Sequence, residues 1–215
     1  MSPVTIFDIT PPITSDLAVW PGDSPLTREV LLDLARGDNV TLSTLRSTVH
    51  LGAHADGPNH YGKSAPSIDQ RSLDYYLGEC QLVRVPIERA KRITPAMLPG
   101  KVAAPRVLFA TDTFPDPRHW HNDFAALSVE LVDFLHERGV ITVGIDTPSV
   151  DLLESKDLPA HNAILRHDMA ILEGLALQSV PEGIYELIAL PLPLTGFDAS
   201  PVRAILRSDA RRAAV

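Results

Sequence analysis

Ser128-Val-Glu-Leu-Val-Asp-Phe-Leu-His-Glu-Arg-Gly139-Val-Ile-Thr-Val-Gly-Ile-Asp146 sets the fold class of this 215-residue chain. Its first half reads as a helix from Ser128 to Arg138. Ser128 can cap the start, Glu130 suits the first turn, Leu131, Phe134 and Leu135 share a face, and Gly139 ends it. The second half, Val140 to Asp146, is nearly all apolar, the pattern of a strand covered on both faces. A helix that feeds such a strand implies an α/β layer arrangement. Further β-rich runs are Val4–Ile9, Val40–Val49, Leu82–Ile87, Arg106–Thr111 and Tyr185–Leu190, each bounded by Pro, Gly or Asp. Thr94-Pro95 reads as another helix start, and Ala160–Arg166 as a short third helix followed by Met169–Leu172 as strand or turn. With 19 prolines spread without a tract or repeat, no linker stands out, and residues 1–215 read as a single domain.

Composition narrows the function classes. Twenty-seven acidic against 19 basic residues give a net charge of −8, with no basic stripe to neutralise a phosphate backbone, so no nucleic-acid partner is expected. The N-terminus has neither a basic n-region nor an unbroken apolar stretch, and no run approaches the roughly 18 apolar residues of a spanning helix. A cytoplasmic protein without a membrane partner is the expectation. Cys80 is the only cysteine, which rules out an intramolecular disulfide and a four-cysteine zinc site; within Cys80–Pro86 it reads as a buried strand thiol. Any metal must rest on histidine and carboxylate.

Such residues concentrate in His50-Leu-Gly-Ala-His54-Ala-Asp56-Gly-Pro-Asn-His60, where every spacing between the four polar groups is even. An extended chain would place them on one face. A helix is opposed by Gly52, Gly57 and Pro58, and would turn Asp56 away from His54. An extended strand running into a Gly-Pro turn is therefore expected. Imidazole and carboxylate suit a borderline ion such as zinc, and Asp56 has two oxygens with which to bridge a second ion. The spacing leaves open one ion or two, and Zn²⁺ or Mn²⁺.

The segment resembles the His-x-Gly-Thr-His-x-Asp-x-Pro-x-His motif of the cyclase-like metal hydrolases, and the chain is similar to their bacterial kynurenine formamidase branch. The resemblance continues in Trp20-Pro-Gly-Asp23, Gly144 to Asp151, Pro159-Ala-His161 to Glu173-Gly-Leu175, and Leu190 to Arg203. It implies a swivelling β/β/α fold with a mixed, β-rich core, and two zinc ions per chain. His50, His54 and Asp56 would hold one ion, and Asp56, His161 and Glu173 the other, with His60 as acid/base. Without the resemblance, His161 would read as a polar residue near a helix start and Glu173 as a solvated strand-end carboxylate. The departures are Ala53, where Thr is usual, and Tyr61, where Phe is common, and neither is an implied ligand.

The implied activity is hydrolysis of N-formyl-L-kynurenine by a homodimer, with Trp20 offering a flat face to the aromatic substrate near a subunit boundary. No Gly-x-Ser-x-Gly elbow is present, which argues against a serine formamidase. Two rivals remain: a relative acting on a cyclic amide such as isatin, and a metal-binding scaffold without turnover. His119, Trp120 and His121 belong to a proline-rich stretch, 112–123, that reads equally as lid or surface loop, while His136 and His167 read as helix-end residues.

Overall fold

The computed structural model describes residues 4–208. Its strands are β1 (Ile6–Asp8), β2 (Thr27–Leu32), β3 (Leu42–Arg46), β4 (His54–Asp56), β5 (Leu77–Arg84), β6 (Arg92–Ile93), β7 (Arg106–Ala110), β8 (Ala126–Leu127), β9 (Thr142–Ile145), β10 (Ala170–Glu173), β11 (Gly183–Ile188), β12 (Ala199–Pro201) and β13 (Ile205–Arg207). Two helices accompany them, α1 (Val129–His136) and α2 (Pro159–Arg166). Nine strands form one sheet in the order β1-β13-β11-β5-β7-β9-β10-β4-β12. Its centre, β5-β7-β9-β10, is parallel, and the strands on either side pair antiparallel. This is the mixed, β-rich α/β architecture expected from the sequence.

The central strands read as continuous apolar runs because both of their faces are covered. Arg106 to Ala110 is buried at every position. Alternate side chains go to opposite cores: Leu82, Leu108 and Leu172 join one apolar cluster, while Val83, Phe109 and Ile171 join the other. α1 and α2 pack on the second face. Ser128 caps α1 by accepting from Leu131 N, Gly139 adopts φ +78° beyond its end, and Leu131, Val132 and Leu135 are buried. Each such side chain contributes about 1.5–3 kcal/mol by leaving water.

Several boundaries differ from the sequence expectation. The Val40–Val49 run yields only Leu42–Arg46, and Leu82–Ile87 begins earlier, at Leu77. Thr94-Pro95 starts a single 3₁₀ turn, Pro95–Met97, instead of a longer helix. β2 went unread; it pairs with β3 in a two-stranded hairpin. Among the described residues, no helix is long and apolar enough to cross a membrane.

Candidate metal centre

The site lies at the carboxyl ends of β7, β9 and β10, where open α/β sheets leave a crevice. β4 joins this edge by pairing antiparallel with β10 and β12. The register sets His54 opposite Glu173 and Asp56 opposite Ala199, so one strand face presents His54, Asp56 and Glu173 together. The even-spacing expectation therefore holds for His54 and Asp56 within β4 but not for the whole segment. His50 returns to the cluster through a bend at Gly52, φ +58°, and His60 ends the 3₁₀ turn Pro58–His60. Gly174, at φ +65°, must be glycine here, because a Cβ would stand 2.2 Å from the Gly52 carbonyl oxygen. That same carbonyl lies 2.9 Å from His54 Nδ1.

Five side chains from four parts of the chain converge, and among the described residues His50, His54 and Asp56 form one potential ligand group and Asp56, His161 and Glu173 another. The two oxygens of Asp56 divide between them. Oδ1 lies 3.2 Å from His50 Nδ1 and 3.5 Å from His54 Nε2, and Oδ2 lies 3.6 Å from His161 Nε2. Glu173 touches both groups, with Oε2 3.3 Å from His54 Nε2 and Oε1 3.7 Å from His161 Nε2. His54 Nε2 and both Asp56 oxygens are buried without a hydrogen-bond partner, an arrangement costly in a protein interior. Donors around a tetrahedral ion at about 2.0–2.2 Å stand about 3.3–3.6 Å from one another; the five distances between these atoms run from 3.2 to 3.7 Å, and all ligand atoms of each group lie within 4.8 Å of one another. The residues present fit a divalent cation at each group.

Each histidine has its outward nitrogen committed. His54 Nδ1 meets the Gly52 carbonyl, His50 Nε2 lies 3.0 Å from Asp198 Oδ2, and His161 Nδ1 lies 2.9 Å from Asp151 Oδ2. These partners only accept, so the outward nitrogen carries a hydrogen in either charge state of the ring, and the inward nitrogen is the one that gives up its proton to become a metal ligand. Asp151 does more: it accepts from Ala160 N and His161 N at the start of α2, and Arg92 Nη1 donates to it at 2.7 Å. One carboxylate thus fixes both the helix N-terminus and the ring that the helix carries. Glu173 is held by Val150 N, which donates to Oε1 at 2.7 Å.

Electrostatics follow from this crowding. Burial alone would push Asp56 up, but the imidazoles of His161, His50 and His54 hold it well below the usual carboxylate range. Burial alone would push His50 and His161 down; the carboxylates outweigh it and raise them to about 9 and about 10. Without a cation, protons neutralise the cluster, and a metal must compete with them.

The cluster opens into a cavity of about 530 Å³ lined by His50, His54, His60, His161 and Glu173 on one side and by apolar and aromatic groups on the other. Trp20 lines it, with its ring 5.3 Å from that of Trp120 and 6.2 Å from that of Phe124. The 112–123 stretch, undecided between lid and surface loop, supplies Phe114, Pro117 and Trp120 to the wall, while His119 faces solvent paired with Asp116. Cys80 is fully buried in β5, where burial pushes its thiol up. His136 and His167 stack on one another at 4.0 Å, away from the centre.

Asp151 and Asp198, which meet the outward nitrogens of His161 and His50, are the positions around the cluster that residue-type reasoning does not find. Both sit in quoted stretches of the resemblance, but an aspartate in a loop has no periodicity to mark it.

Residues 7–152 match the Cyclase family model, more than half of the chain. The chain belongs to the Cyclase family. Solved structures similar to this Cyclase-family chain include one described as a potential metal-dependent hydrolase with cyclase activity, 26% identical, with a TM-score of 0.83 over 96% of this chain and 99% of that one. A predicted metal-dependent hydrolase from Bacillus stearothermophilus is 27% identical, with a TM-score of 0.81 over 97% of this chain and 100% of the other. Isatin hydrolase A from Labrenzia aggregata shares the fold at 23% identity, with a TM-score of 0.80 over 95% of this chain and 93% of that one.

Proposed function

We propose that the protein is a metal-dependent amide hydrolase that converts N-formyl-L-kynurenine and water to L-kynurenine and formate. The observation that carries this reading is the convergence of His50, His54, Asp56, His161 and Glu173, with His54 Nε2 and both Asp56 oxygens buried and unpaired, beside an aromatic-walled cavity. His50, His54 and Asp56 would hold one zinc ion, and Asp56, His161 and Glu173 a second, with Asp56 shared. Divalent ions bound there acidify water and withdraw electron density from a carbonyl oxygen.

The remaining chemistry belongs to the chain. His60 lines the cavity, and its side chain is 37% exposed, so it can exchange protons with a bound substrate and with solvent. It takes the proton of the attacking water as the new C–O bond forms. It then gives that proton to the departing aryl nitrogen as the C–N bond breaks. Trp20, Phe114 and Trp120 receive the aromatic ring and keep bulk water from the reacting carbonyl. Preference for a formamide over a cyclic amide follows from the sequence resemblance to the kynurenine formamidase branch. The expected homodimer is part of the same proposal, and the exposed Leu31, Leu42 and Leu45 of the β2–β3 hairpin offer apolar surface to a second copy.

The test is a set of steady-state rates on N-formyl-L-kynurenine, isatin and N-formylaniline, for protein loaded with Zn²⁺ or with Mn²⁺. We expect kcat/KM for N-formylkynurenine to exceed that for isatin by at least about tenfold, the scale of a 1.4 kcal/mol difference. We also expect chelation to abolish turnover and Zn²⁺ to restore it. Isatin turned over equally well would overturn the substrate assignment, and full activity after exhaustive chelation would overturn the metal assignment.

A further inference from the structure

A single carboxylate oxygen stands between the two histidines on the open side of the centre. Asp198 Oδ2 lies 3.0 Å from His50 Nε2 and 3.4 Å from His60 Nδ1. The two rings sit 4.3 Å apart with their planes tilted by 44°; His50 meets that oxygen in a hydrogen bond, and His60 meets it as an ion-pair contact. We propose that Asp198 is the positioning residue for His60, setting its tautomer and ring direction so that Nε2 is free to carry the reaction's proton. The proposal rests on the reading of His60 as the proton carrier.

An ionised carboxylate only accepts, so the ring nitrogen beside it carries the hydrogen and the other keeps a lone pair. At His60 this puts the hydrogen on Nδ1 and leaves Nε2 as the base. The same oxygen favours Nε2–H on His50, which leaves Nδ1 to face Asp56 at 3.2 Å. Two lone pairs on one oxygen suffice for both rings. An aspartate that orients a histidine in this way is a recurring device of hydrolytic sites.

Asp198 is itself well placed to act as a fixed reference. Its backbone carbonyl accepts from Gly57 N at 2.7 Å, and its neighbour Ala199 pairs with Asp56 across β12 and β4. The strand that carries Asp56 therefore also holds the carboxylate that aligns His60. The Asp198 side chain is 46% exposed, so ionising it requires little loss of hydration. His50, His60 and Asp198 also lie close enough together to ligate an ion as a third group. In that arrangement His50 would have to turn its outward nitrogen to a metal, and Asp198 would be a ligand. Metal counting separates the two roles.

The experiment combines kinetics, metal analysis and ¹⁵N NMR of the imidazoles on Asp198→Ala, His60→Ala and the double variant, all in metal-loaded full-length protein. For Asp198→Ala we expect kcat at saturating metal to fall about 10- to 100-fold, the usual effect of losing such an orienting partner, with KM unchanged; metal affinity should weaken because His50 loses the same partner, while occupancy at saturating metal stays at the parent's level. In the His60→Ala background the same substitution should cost less than about threefold, because residues that act as a unit are non-additive. The NMR spectrum of the parent should show His60 as Nδ1–H, shifting in Asp198→Ala toward the Nε2–H form that an unpartnered histidine prefers. Asp198→Asn keeps the shape and one acceptor oxygen, guards against a folding failure, and should fall between the two. Additive losses, an ion missing from Asp198→Ala even at saturating metal, or an unmoved His60 tautomer would each overturn the proposal. If the parent protein hydrolyses neither the formamides nor isatin, the substrate reading fails, while the metal and NMR arms still decide the role of Asp198.

Discussion

The two sides of the centre are built differently. His54, Asp56, His161 and Glu173 have side chains no more than 4% exposed, whereas His50, His60 and Asp198 are 17%, 37% and 46% exposed. The buried side draws its residues from strands and a helix that the sheet fixes rigidly, and Asp151, Arg92 and Val150 N brace them from behind. The open side sits on a bend, a 3₁₀ turn and the entry to an edge strand. Permanent ligands need low dielectric and immobile supports, while a group that moves protons needs contact with substrate and solvent. On the proposed function, the contrast separates retention of a cation from turnover, with His50 as the one ligand standing on the open side.

Asp56 is where the comparison is easiest to break, since its two oxygens serve both ligand groups. Asp56→Asn removes the charge that offsets the imidazoles and leaves one acceptor where there were two. Activity should fall by at least about a thousandfold, and bound metal should drop below one ion per chain by elemental analysis. Losing one partner of a buried ion pair costs about 3–5 kcal/mol, so the variant should also melt well below the parent in circular dichroism. A variant that keeps two ions per chain would show that Asp56 is not the shared ligand.

How legible this was differs between the two sides. His54 and Asp56 could be read from their spacing, because a pleated strand puts every second residue on one face. Glu173 could not: its meaning comes from lying opposite His54 in an antiparallel register, and nothing near it in sequence announces that pairing. β4 and β12 are only three residues long and β10 four, too short for period-two alternation to rise above noise. The central layer, by contrast, was legible because full burial leaves long apolar runs such as Arg106 to Ala110. β2 was missed for the opposite reason: none of its residues is fully buried, so no face is marked by hydrophobicity, and its partner β3, exposed throughout, is legible only through the β-branched Val40, Thr41, Thr44, Thr48 and Val49 in and around it. Asp198 gave no signal beyond its place between Gly196-Phe197 and Ala199, a turn feeding a strand of small residues.

Metal-free protein offers a second, smaller effect that sharpens the contrast. His50 and His161 are raised to about 9 and about 10 by the carboxylates around them, against burial, from an ordinary value of 6.5. A histidine raised on folding contributes stability that is complete below the unfolded value and disappears as pH rises through the folded one. The apoprotein should therefore lose stability between pH 6.5 and about 10, on the order of 5–10 °C in Tm for a few kcal/mol. Metal-loaded protein should show a much flatter profile, because the cations take over the charge that protons neutralise. Differential scanning calorimetry of both forms across that range checks it. Identical slopes with and without metal would place the cation elsewhere.

The gentlest intervention acts on the open side without touching charge. Trp20 lines the cavity, and its ring meets Trp120 and Phe124 edge-on, so truncation removes apolar wall while leaving every ligand and His60 in place. An aromatic contact of this kind is worth about 0.5–1.5 kcal/mol beyond its area. Trp20→Ala should therefore raise KM for an aryl formamide about three- to tenfold, with bound metal unchanged and kcat within a factor of two. The same substitution should matter less for a formamide without an aromatic ring, because the lost contact is then one the substrate never made. An equal loss for both substrates would mean that Trp20 shapes the cavity through Trp120 and does not meet the ring itself.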